Sequence, residues 1–329
     1  MVRLYVRWDG VIISNWVLDD HLKLTHLELP VTIEALPYIT FLGFLFGSTL
    51  IASRFSVGQF EPTTYIGLRL SLAGLGHVLL YTFVNRRYKW PRDKKLWLRA
   101  GLLGVLGTAV PMTGIVTSLQ YLSSGVASIL ITTGPAITVL MAHFMLSDES
   151  LTLRKSIGVM LALSGTIMLA VSGESGLADA TQAPTFGYVL IIAAIVIASF
   201  STIYIRKYMQ SYNSFDVSSI RMFSAAATVI PLSLVLIGFD LSAVTNQGYI
   251  ALGYAAFIGT FGGMLLSVYN IKRFGATASA MTAYVIPIVA GIGGVLFLGE
   301  RVTAVMLIGM AVIIAGIAIL NQKQSTTPV

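Results

Sequence analysis

The sequence has 329 residues, of which 56% are hydrophobic and only 11% are charged, and its mean hydropathy is +0.82. A soluble domain carries about 25% charged residues, so this composition excludes a soluble protein and indicates a membrane protein. The absence of cysteine excludes disulfides, thiolate catalysis and cysteine-bound metal. The net charge is +7, and the distribution of the basic residues along the chain points to membrane orientation instead of nucleic-acid binding.

Residues 1–35 precede the first long apolar run and are interpreted as a cytoplasmic tail. They mix acidic, basic and aromatic residues without a clear period, which is compatible with a surface helix or with a gene start placed too far upstream. They also lack the sustained apolar core that a cleavable signal peptide requires.

Ten apolar runs follow, each close to the length of about 20 residues that crosses a bilayer as a helix. The runs are continuous and not alternating, which predicts helices instead of barrel strands. The predicted spans are Leu36–Ser53, Thr64–Val84, Ala100–Leu119, Val126–Leu146, Ile157–Ser172, Gly187–Ile205, Val217–Phe239, Tyr249–Tyr269, Ala278–Leu298 and Val305–Leu320. The predicted fold class is therefore an all-α membrane protein with ten transmembrane helices.

The basic residues predict the orientation of these spans, because Lys and Arg accumulate in cytoplasmic loops. With the N-terminus inside, the inner segments hold seventeen Lys and Arg residues and the outer segments hold two, Arg54 and Arg301. We therefore expect a multi-pass protein of the cell membrane with both termini in the cytoplasm.

The chain repeats itself once. Arg69 and Pro135 recur 152 residues later as Arg221 and Pro287, and an acidic residue that follows the fourth span, Glu149, recurs 151 residues later as Glu300. Five spans in each half is an odd number, so the halves must have opposite orientations in the membrane. We expect inverted five-helix repeats over 36–173 and 186–321, followed by a short cytoplasmic tail over 322–329.

These features resemble the EamA-type repeat of the drug/metabolite transporter superfamily. The resemblance is carried by five spans in each half, an arginine early in the second span, and a proline followed by Leu298-Gly299-Glu300-Arg301-Val302-Thr303. It implies a ten-helix carrier with its cavity among spans 1, 3, 4, 6, 8 and 9, and with spans 5 and 10 at the periphery. Members of the superfamily mostly export metabolites, amino acids or drugs.

Polar residues and prolines inside the spans are the candidates for the substrate cavity. These candidates are Ser48, Thr49, Thr133, Pro135, Ser201, Tyr204, Tyr284 and Pro287. Hydroxyl groups also join neighbouring helices, and the two prolines can mark hinges or plain packing kinks.

The ionisable residues of the spans are few, and no carboxylate lies at mid-span. His77 and His143 are candidate proton handles because histidine titrates near neutral pH, although a neutral histidine bonded to a neighbouring helix is the alternative.

Charged pairs are also predicted at the two membrane faces. The inverted topology places Arg69 near Glu300 on the outer side and Arg221 near Glu149 on the inner side, which suggests two gates that open in turn. The alternative is that each arginine reaches lipid phosphate or caps helix carbonyls.

The predicted function is an alternating-access carrier that exports a small neutral, zwitterionic or amphipathic metabolite across the lipid bilayer. A carrier of phosphorylated or nucleotide-linked sugars is the alternative, disfavoured because the ninth span reads Met281-Thr282-Ala283-Tyr284, without charge. A membrane-embedded enzyme, a channel and a scaffold are the other classes. We expect no catalytic residue, metal, cofactor or nucleic-acid partner, and a homodimer is left open.

Overall fold

The computed structural model describes residues 4–8, 11–15, 31–84, 89–147, 150–180, 182–236 and 238–321. In the N-terminal segment, β1 (Leu4–Trp8) and β2 (Val11–Asn15) pair as antiparallel strands. Both strands are rich in β-branched and aromatic residues, and the Asp9-Gly10 sequence between them favours a two-residue hairpin. A surface helix, which was one of the interpretations of the tail, is therefore wrong for these two stretches, and the all-α prediction applies only to the membrane part.

The remainder of the described chain is helical. Its helices are α1 (Val31–Phe55), α2 (Pro62–Phe83), α3 (Lys94–Ser118), α4 (Ser124–Met145), α5 (Leu153–Ser172), α6 (Thr185–Tyr208), α7 (Ser214–Val235), α8 (Asn246–Gly275), α9 (Ala278–Leu298) and α10 (Ala304–Asn321). Among the described residues, α1 to α9 are nine helices long and apolar enough to cross a membrane, and α10 is apolar over the shorter stretch Ala304–Leu320. The protein is therefore a multi-pass helical membrane protein.

Several helix ends have clear local causes. Thr152 precedes α5, and its hydroxyl accepts a hydrogen bond from the backbone N–H of Lys155, which caps the helix. Gly173 and Gly299 end α5 and α9 in the left-handed conformation, with φ of 66° and 65°. Glycine adopts this conformation without steric cost, so both helices stop sharply before their loops.

Helices α4 and α9 are broken within the membrane. The segments are Ser124–Ile131 and Gly134–Met145 in α4, and the 3₁₀ turn Met281–Tyr284 followed by Val285–Leu298 in α9. Pro135 and Pro287 both lie in the first turn after the break, where the missing N–H breaks no helical hydrogen bond. The Thr132 hydroxyl donates to the carbonyl of Ala283 at 3.0 Å, so the two breaks contact each other.

Helices α5 and α10 pack closely through four glycines. A Cβ added to Gly158 would lie 2.6 Å from the carbonyl oxygen of Gly316, and one added to Gly165 would lie 3.0 Å from that of Gly309. These four residues form what we call the glycine seam. The backbones of α5 and α10 approach each other so closely here that a side chain at any of the four positions would collide with the facing helix.

The Gly-xxx-Gly spacing of Gly43 and Gly47 serves packing inside the protein. A Cβ on Gly43 would lie 2.4 Å from Cβ of Val285, and one on Gly47 would lie 2.7 Å from Cβ of Val289. This face of α1 is therefore covered by α9, so the motif does not present a free surface for dimerisation.

Candidate functional site

A cavity of about 300 Å³ lies among eight of the helices in the described part of the chain. α1, α2, α3, α4, α6, α7, α8 and α9 contribute its lining, and no described residue of α5 or α10 does. The lining therefore includes α2 and α7, beyond the six helices that the family resemblance implied. These two helices contribute the charged residues of the cavity, Arg69 and Arg221.

Arg69 lies about two turns into α2 and is 7% exposed. Its Nε donates to the hydroxyl of Thr260 on α8 at 2.5 Å, and its Nη1 donates to the hydroxyl of Ser53 on α1 at 3.1 Å. Ser53 is in turn 3.3 Å from the hydroxyl of Tyr65. The guanidinium is thus held against helices α1 and α8 and lines the cavity.

Arg221 has an equivalent environment in the second half. It lies about two turns into α7, and its Nε donates to the hydroxyl of Thr108 on α3 at 3.1 Å. Its Nη2 donates to the carbonyl of Gly107 at 3.2 Å. Arg221 follows Arg69 by 152 residues and Thr260 follows Thr108 by the same number, so each half supplies an arginine to a threonine of the other half.

Both threonines lie in π-helical segments. The segments are Val105–Ala109 within α3 and Ala255–Gly262 within α8. Each threonine hydroxyl donates to the carbonyl five residues before it, Leu103 at 3.3 Å and Ala255 at 3.0 Å. A π segment widens the helix locally and frequently occurs at functional sites. Here it positions a hydroxyl as the acceptor for an arginine.

Glycines beside these threonines let opposite helices come close to the cavity. A Cβ on Gly107 would lie 2.3 Å from Oγ of Ser201, and one on Gly259 would lie 2.0 Å from Oγ1 of Thr49. Thr49 and Ser201, again 152 residues apart, both line the cavity. The hydroxyl of Ser201 is buried without a hydrogen-bond partner within the described residues, and it is therefore available to a ligand.

The charged side chains in the described lining of the cavity are all positive. Its described lining contains Arg69 and Arg221 and no Asp or Glu. Among the described residues, neither arginine forms a salt bridge. Arginine stays protonated in proteins, so the cavity holds two positive charges that no carboxylate of the described residues neutralises.

Of the eight predicted cavity residues, the structure places Thr49 and Ser201 on the lining and the other six elsewhere. Ser48 accepts a hydrogen bond from Tyr254 on α8 at 2.8 Å, and Thr133 donates to the carbonyl of Leu130 at 2.6 Å. The remaining four, all off the lining, are Pro135, Tyr204, Tyr284 and Pro287. The two prolines belong to the helix breaks. Tyr204 packs against Tyr208, with ring centroids 4.8 Å apart.

Neither candidate proton handle reaches the cavity. His77 is fully buried, with Nδ1 2.9 Å from the hydroxyl of Ser219 and its ring centroid 4.6 Å from that of Phe261. This is the alternative considered for it, a histidine bonded to a neighbouring helix. His143 is exposed in the last turn of α4, where its Nδ1 accepts from the backbone N–H of Leu151 at 3.2 Å.

The predicted pair between Arg69 and Glu300 is not formed. Glu300 instead accepts hydrogen bonds from the backbone N–H of Ser124 at 2.7 Å, from that of Gly125 at 3.2 Å and from the Ser124 hydroxyl at 2.7 Å. The acidic group therefore neutralises the positive end of α4.

Among the described residues, Arg54 forms a salt bridge with this carboxylate, with its Nε 3.9 Å from Oε1. The sequence predicted Arg54 as a charge of an outer segment and did not predict this contact. The partner predicted for Arg221, Glu149, lies outside the described residues.

Sequence reasoning missed the residues that hold the arginines, Ser53, Thr108 and Thr260. The signal for two of them was present, because Gly107-Thr108 recurs as Gly259-Thr260 at the same offset of 152 residues that relates the arginines. Ser53 has no such counterpart, since Ile205 stands at the equivalent position.

A mainly apolar cavity with a few polar and charged groups, enclosed by the helices of a multi-pass protein, is typical of a membrane transporter. The sequence model of the EamA-like transporter family matches residues 35–171 and again residues 185–322. The chain belongs to the EamA-like transporter family.

Several proteins that are similar in sequence to this chain are named as transporters or exporters. An uncharacterized transporter of Archaeoglobus fulgidus is 24% identical over 87% of this chain and 96% of its own. The uncharacterized inner membrane transporter YedA of Escherichia coli is 26% identical over 84% and 87%. A probable terminal-alkyne amino-acid exporter of Streptantibioticus cattleyicolor is 27% identical over 71% and 75%. A crystal structure with 18% identity shares the fold, with a TM-score of 0.63 over 88% of this chain and 96% of its own.

Proposed function

We propose that this protein is an alternating-access carrier that exports a small metabolite of the amino-acid type. The observation that carries the proposal is the pair of equivalent contacts in one cavity, Arg69 with Thr260 and Arg221 with Thr108. A cavity built from matching residues of two halves can open to either side of the membrane by equivalent movements.

The proposal includes ten membrane spans in two inverted five-helix halves. The equivalent positions at an offset of 152 residues, from Thr49 and Ser201 to Arg69 and Arg221, support the repeat. The excess of Lys and Arg in alternate loops supports cytoplasmic termini. In this arrangement Arg69 and Arg221 lie at opposite depths in the membrane, each about two turns from the start of its helix.

The broken helices α4 and α9 are the proposed moving parts. A break releases backbone groups from the helical pattern and permits bending, and Pro135 and Pro287 keep each break in place. The export direction and the amino-acid class are inferred from the name of the Streptantibioticus cattleyicolor relative. A homodimer has no support from Gly43 and Gly47, because α9 covers them.

Counterflow in proteoliposomes tests the carrier. The full chain is reconstituted in vesicles loaded with one unlabelled L-amino acid at a time, and uptake of a trace of the same labelled compound is followed. We expect a transient overshoot and saturation for at least one compound. Flux that stays linear with concentration and shows no overshoot would indicate a channel.

The topology can be tested directly because the sequence has no cysteine. We expect Ala178→Cys, in the loop between α5 and α6, to react with an impermeant maleimide added outside intact cells. Gln210→Cys, in the loop between α6 and α7, should react only after lysis. The opposite labelling would invert the proposed orientation.

A further inference from the structure

We infer that the substrate bears a carboxylate, and that Arg69 and Arg221 are the residues that bind it. The inference rests on the proposed function and adds to it the group of the substrate that is recognised and the residues that recognise it. The sequence alone predicted a neutral, zwitterionic or amphipathic substrate, because the ninth span carries no charge. The inference narrows this prediction to substrates that bear a carboxylate.

The first argument is charge. Arg69 and Arg221 are 7% and 4% exposed, and the described lining of their cavity contains no carboxylate. A buried charge is costly unless a group of opposite charge compensates it, and ionisable residues inside membrane segments mark substrate or ion sites. Since the described residues supply no such group at the cavity, an anionic group on the substrate is the proposed compensating charge.

The second argument is hydrogen bonding. A guanidinium has five N–H donors. The bonds of Arg69 to Thr260, Ser53 and Tyr65, and those of Arg221 to Thr108 and Gly107, leave donors on each arginine for a ligand. The bonds to Thr260 and Thr108 fix the plane of each guanidinium through Nε. Preorganised arginine is well suited to a planar carboxylate, which it can bind through two parallel hydrogen bonds.

The third argument is the remainder of the lining, which is mainly apolar. The apolar residues come from both halves and include Leu50, Met112, Ile115, Ile131, Met264 and Ile286. Such a surface favours an apolar body on the substrate and leaves the hydroxyl groups of a sugar without partners, apart from Thr49, Ser201 and a few neighbours. The lining therefore favours a carboxylate with an apolar body over a phosphorylated sugar.

The two arginines also explain how the same anion can be bound when the cavity opens to either side of the membrane. In the proposed inverted arrangement they occupy opposite depths of the cavity, one from each half. When the cavity opens to one side, the substrate meets the nearer arginine first, and it meets the other when the cavity opens to the opposite side.

The test is binding to the purified full chain, measured as a ligand-induced rise in melting temperature, with ligands matched in shape. The probes are 4-methylpentanoate against 4-methylpentanamide, L-leucine against L-leucinamide, and glucose 6-phosphate. We expect both carboxylates to stabilise the protein and both amides to have little effect. Equal stabilisation by an amide and its carboxylate would overturn the inference, and so would stabilisation by the sugar phosphate alone or by none of the probes.

Variants locate the site. We expect Arg221→Gln and Arg69→Gln to weaken carboxylate binding about ten- to a hundred-fold, the loss of one charge-assisted hydrogen bond or more. Lysine at either position should retain part of the affinity, because it keeps the charge without the planar fork. Arg301→Gln, which removes an exposed arginine of the α9–α10 loop, is the matched control and should bind as the wild type does.

Counterflow separates this inference from the proposed function. Saturable counterflow in which the amide moves as well as the carboxylate would leave the carrier standing and overturn the carboxylate site. Carboxylate binding that depends on Arg69 and Arg221 in a protein whose flux never saturates would establish the anion site and contradict the carrier. If the glutamine variants do not fold, the wild-type comparison of carboxylates with amides still decides the inference.

Discussion

The glycine seam between α5 and α10 and the cavity both depend on glycine, but in different ways. In the seam, Gly158 and Gly316 face each other's backbone, which cannot move without shifting a whole helix. At the cavity, Gly107 and Gly259 face the side chains of Ser201 and Thr49, whose Cβ atoms would lie 2.8 and 2.7 Å from an added Cβ, so that a side chain and not a facing backbone atom makes the close contact. The seam is therefore a rigid support at the edge of the protein, and the cavity is a region whose packing can adjust.

The largest expected effect is at the seam. In Gly316→Ala, the new Cβ would lie 2.5 Å from the backbone nitrogen of Ala162 and 2.6 Å from the carbonyl oxygen of Gly158. We expect the free energy of unfolding to fall by about 3 kcal/mol, the upper range for overpacking, when unfolding is followed in mixed detergent micelles. Gly291→Ala in α9 is the control, because nothing lies within 4 Å of its added Cβ. Equal stability of the two variants would show that the seam is not rigid.

The next effect concerns a buried contact that joins the cavity helices. Glu300→Gln keeps the shape of the side chain but removes the negative charge of the carboxylate, whose oxygens accept hydrogen bonds from the backbone N–H groups of Ser124 and Gly125. We expect a loss of about 2 kcal/mol in unfolding free energy, in the range for hydrogen bonds to a charged group. Glu61→Gln, at an exposed carboxylate that makes no side-chain cap, should change little. A stable Glu300→Gln protein would mean that α4 does not need this charge.

The cavity glycines should give a smaller loss of stability but a clear loss of transport. In Gly107→Ala and Gly259→Ala, rotation moves the hydroxyls of Ser201 and Thr49 but not their Cβ atoms, which would lie 2.8 and 2.7 Å from the added Cβ. A small shift of the helices beside the cavity is therefore also needed, and we expect a cost of about 1.5 kcal/mol. The displaced hydroxyls and the added methyl narrow the cavity, so counterflow should fall several-fold in both variants. Normal flux in one variant and impaired flux in the other would contradict the equivalence of the two halves.

The smallest effect on stability is expected at His143, and both histidines lie outside the seam and the cavity. His143→Gln replaces an exposed side chain at the end of α4, and we expect a change within about 0.5 kcal/mol. His77→Gln can still bond to Ser219. Neither change should alter the dependence of transport on pH, measured between about pH 5 and 8, where an ordinary histidine titrates. A shifted pH profile in either variant would assign a proton-handling role to that histidine.

Most helices could be predicted from the sequence because the length and position of an apolar run depend on local order. Ala278–Leu298 was predicted with the bounds that the structure has, since apolar runs and turn residues determine where a span begins and ends. The third span began six residues earlier than predicted, at Lys94 instead of Ala100, because helical hydrogen bonding continues into a basic stretch that hydropathy counts as a loop.

The sequence alone determined that this is a multi-pass helical membrane protein and that Arg69 and Arg221 are equivalent. Only the tertiary structure decided which residues they bind, because contacts with Thr260, Thr108 and Ser53 join helices far apart in the chain. Hydropathy and spacing say which residues share a helix, but the rotation of each helix about its axis is set by packing against its neighbours. That rotation turned both arginines toward one cavity, and the fold of the loop after α9 directed Glu300 to the N-terminus of α4.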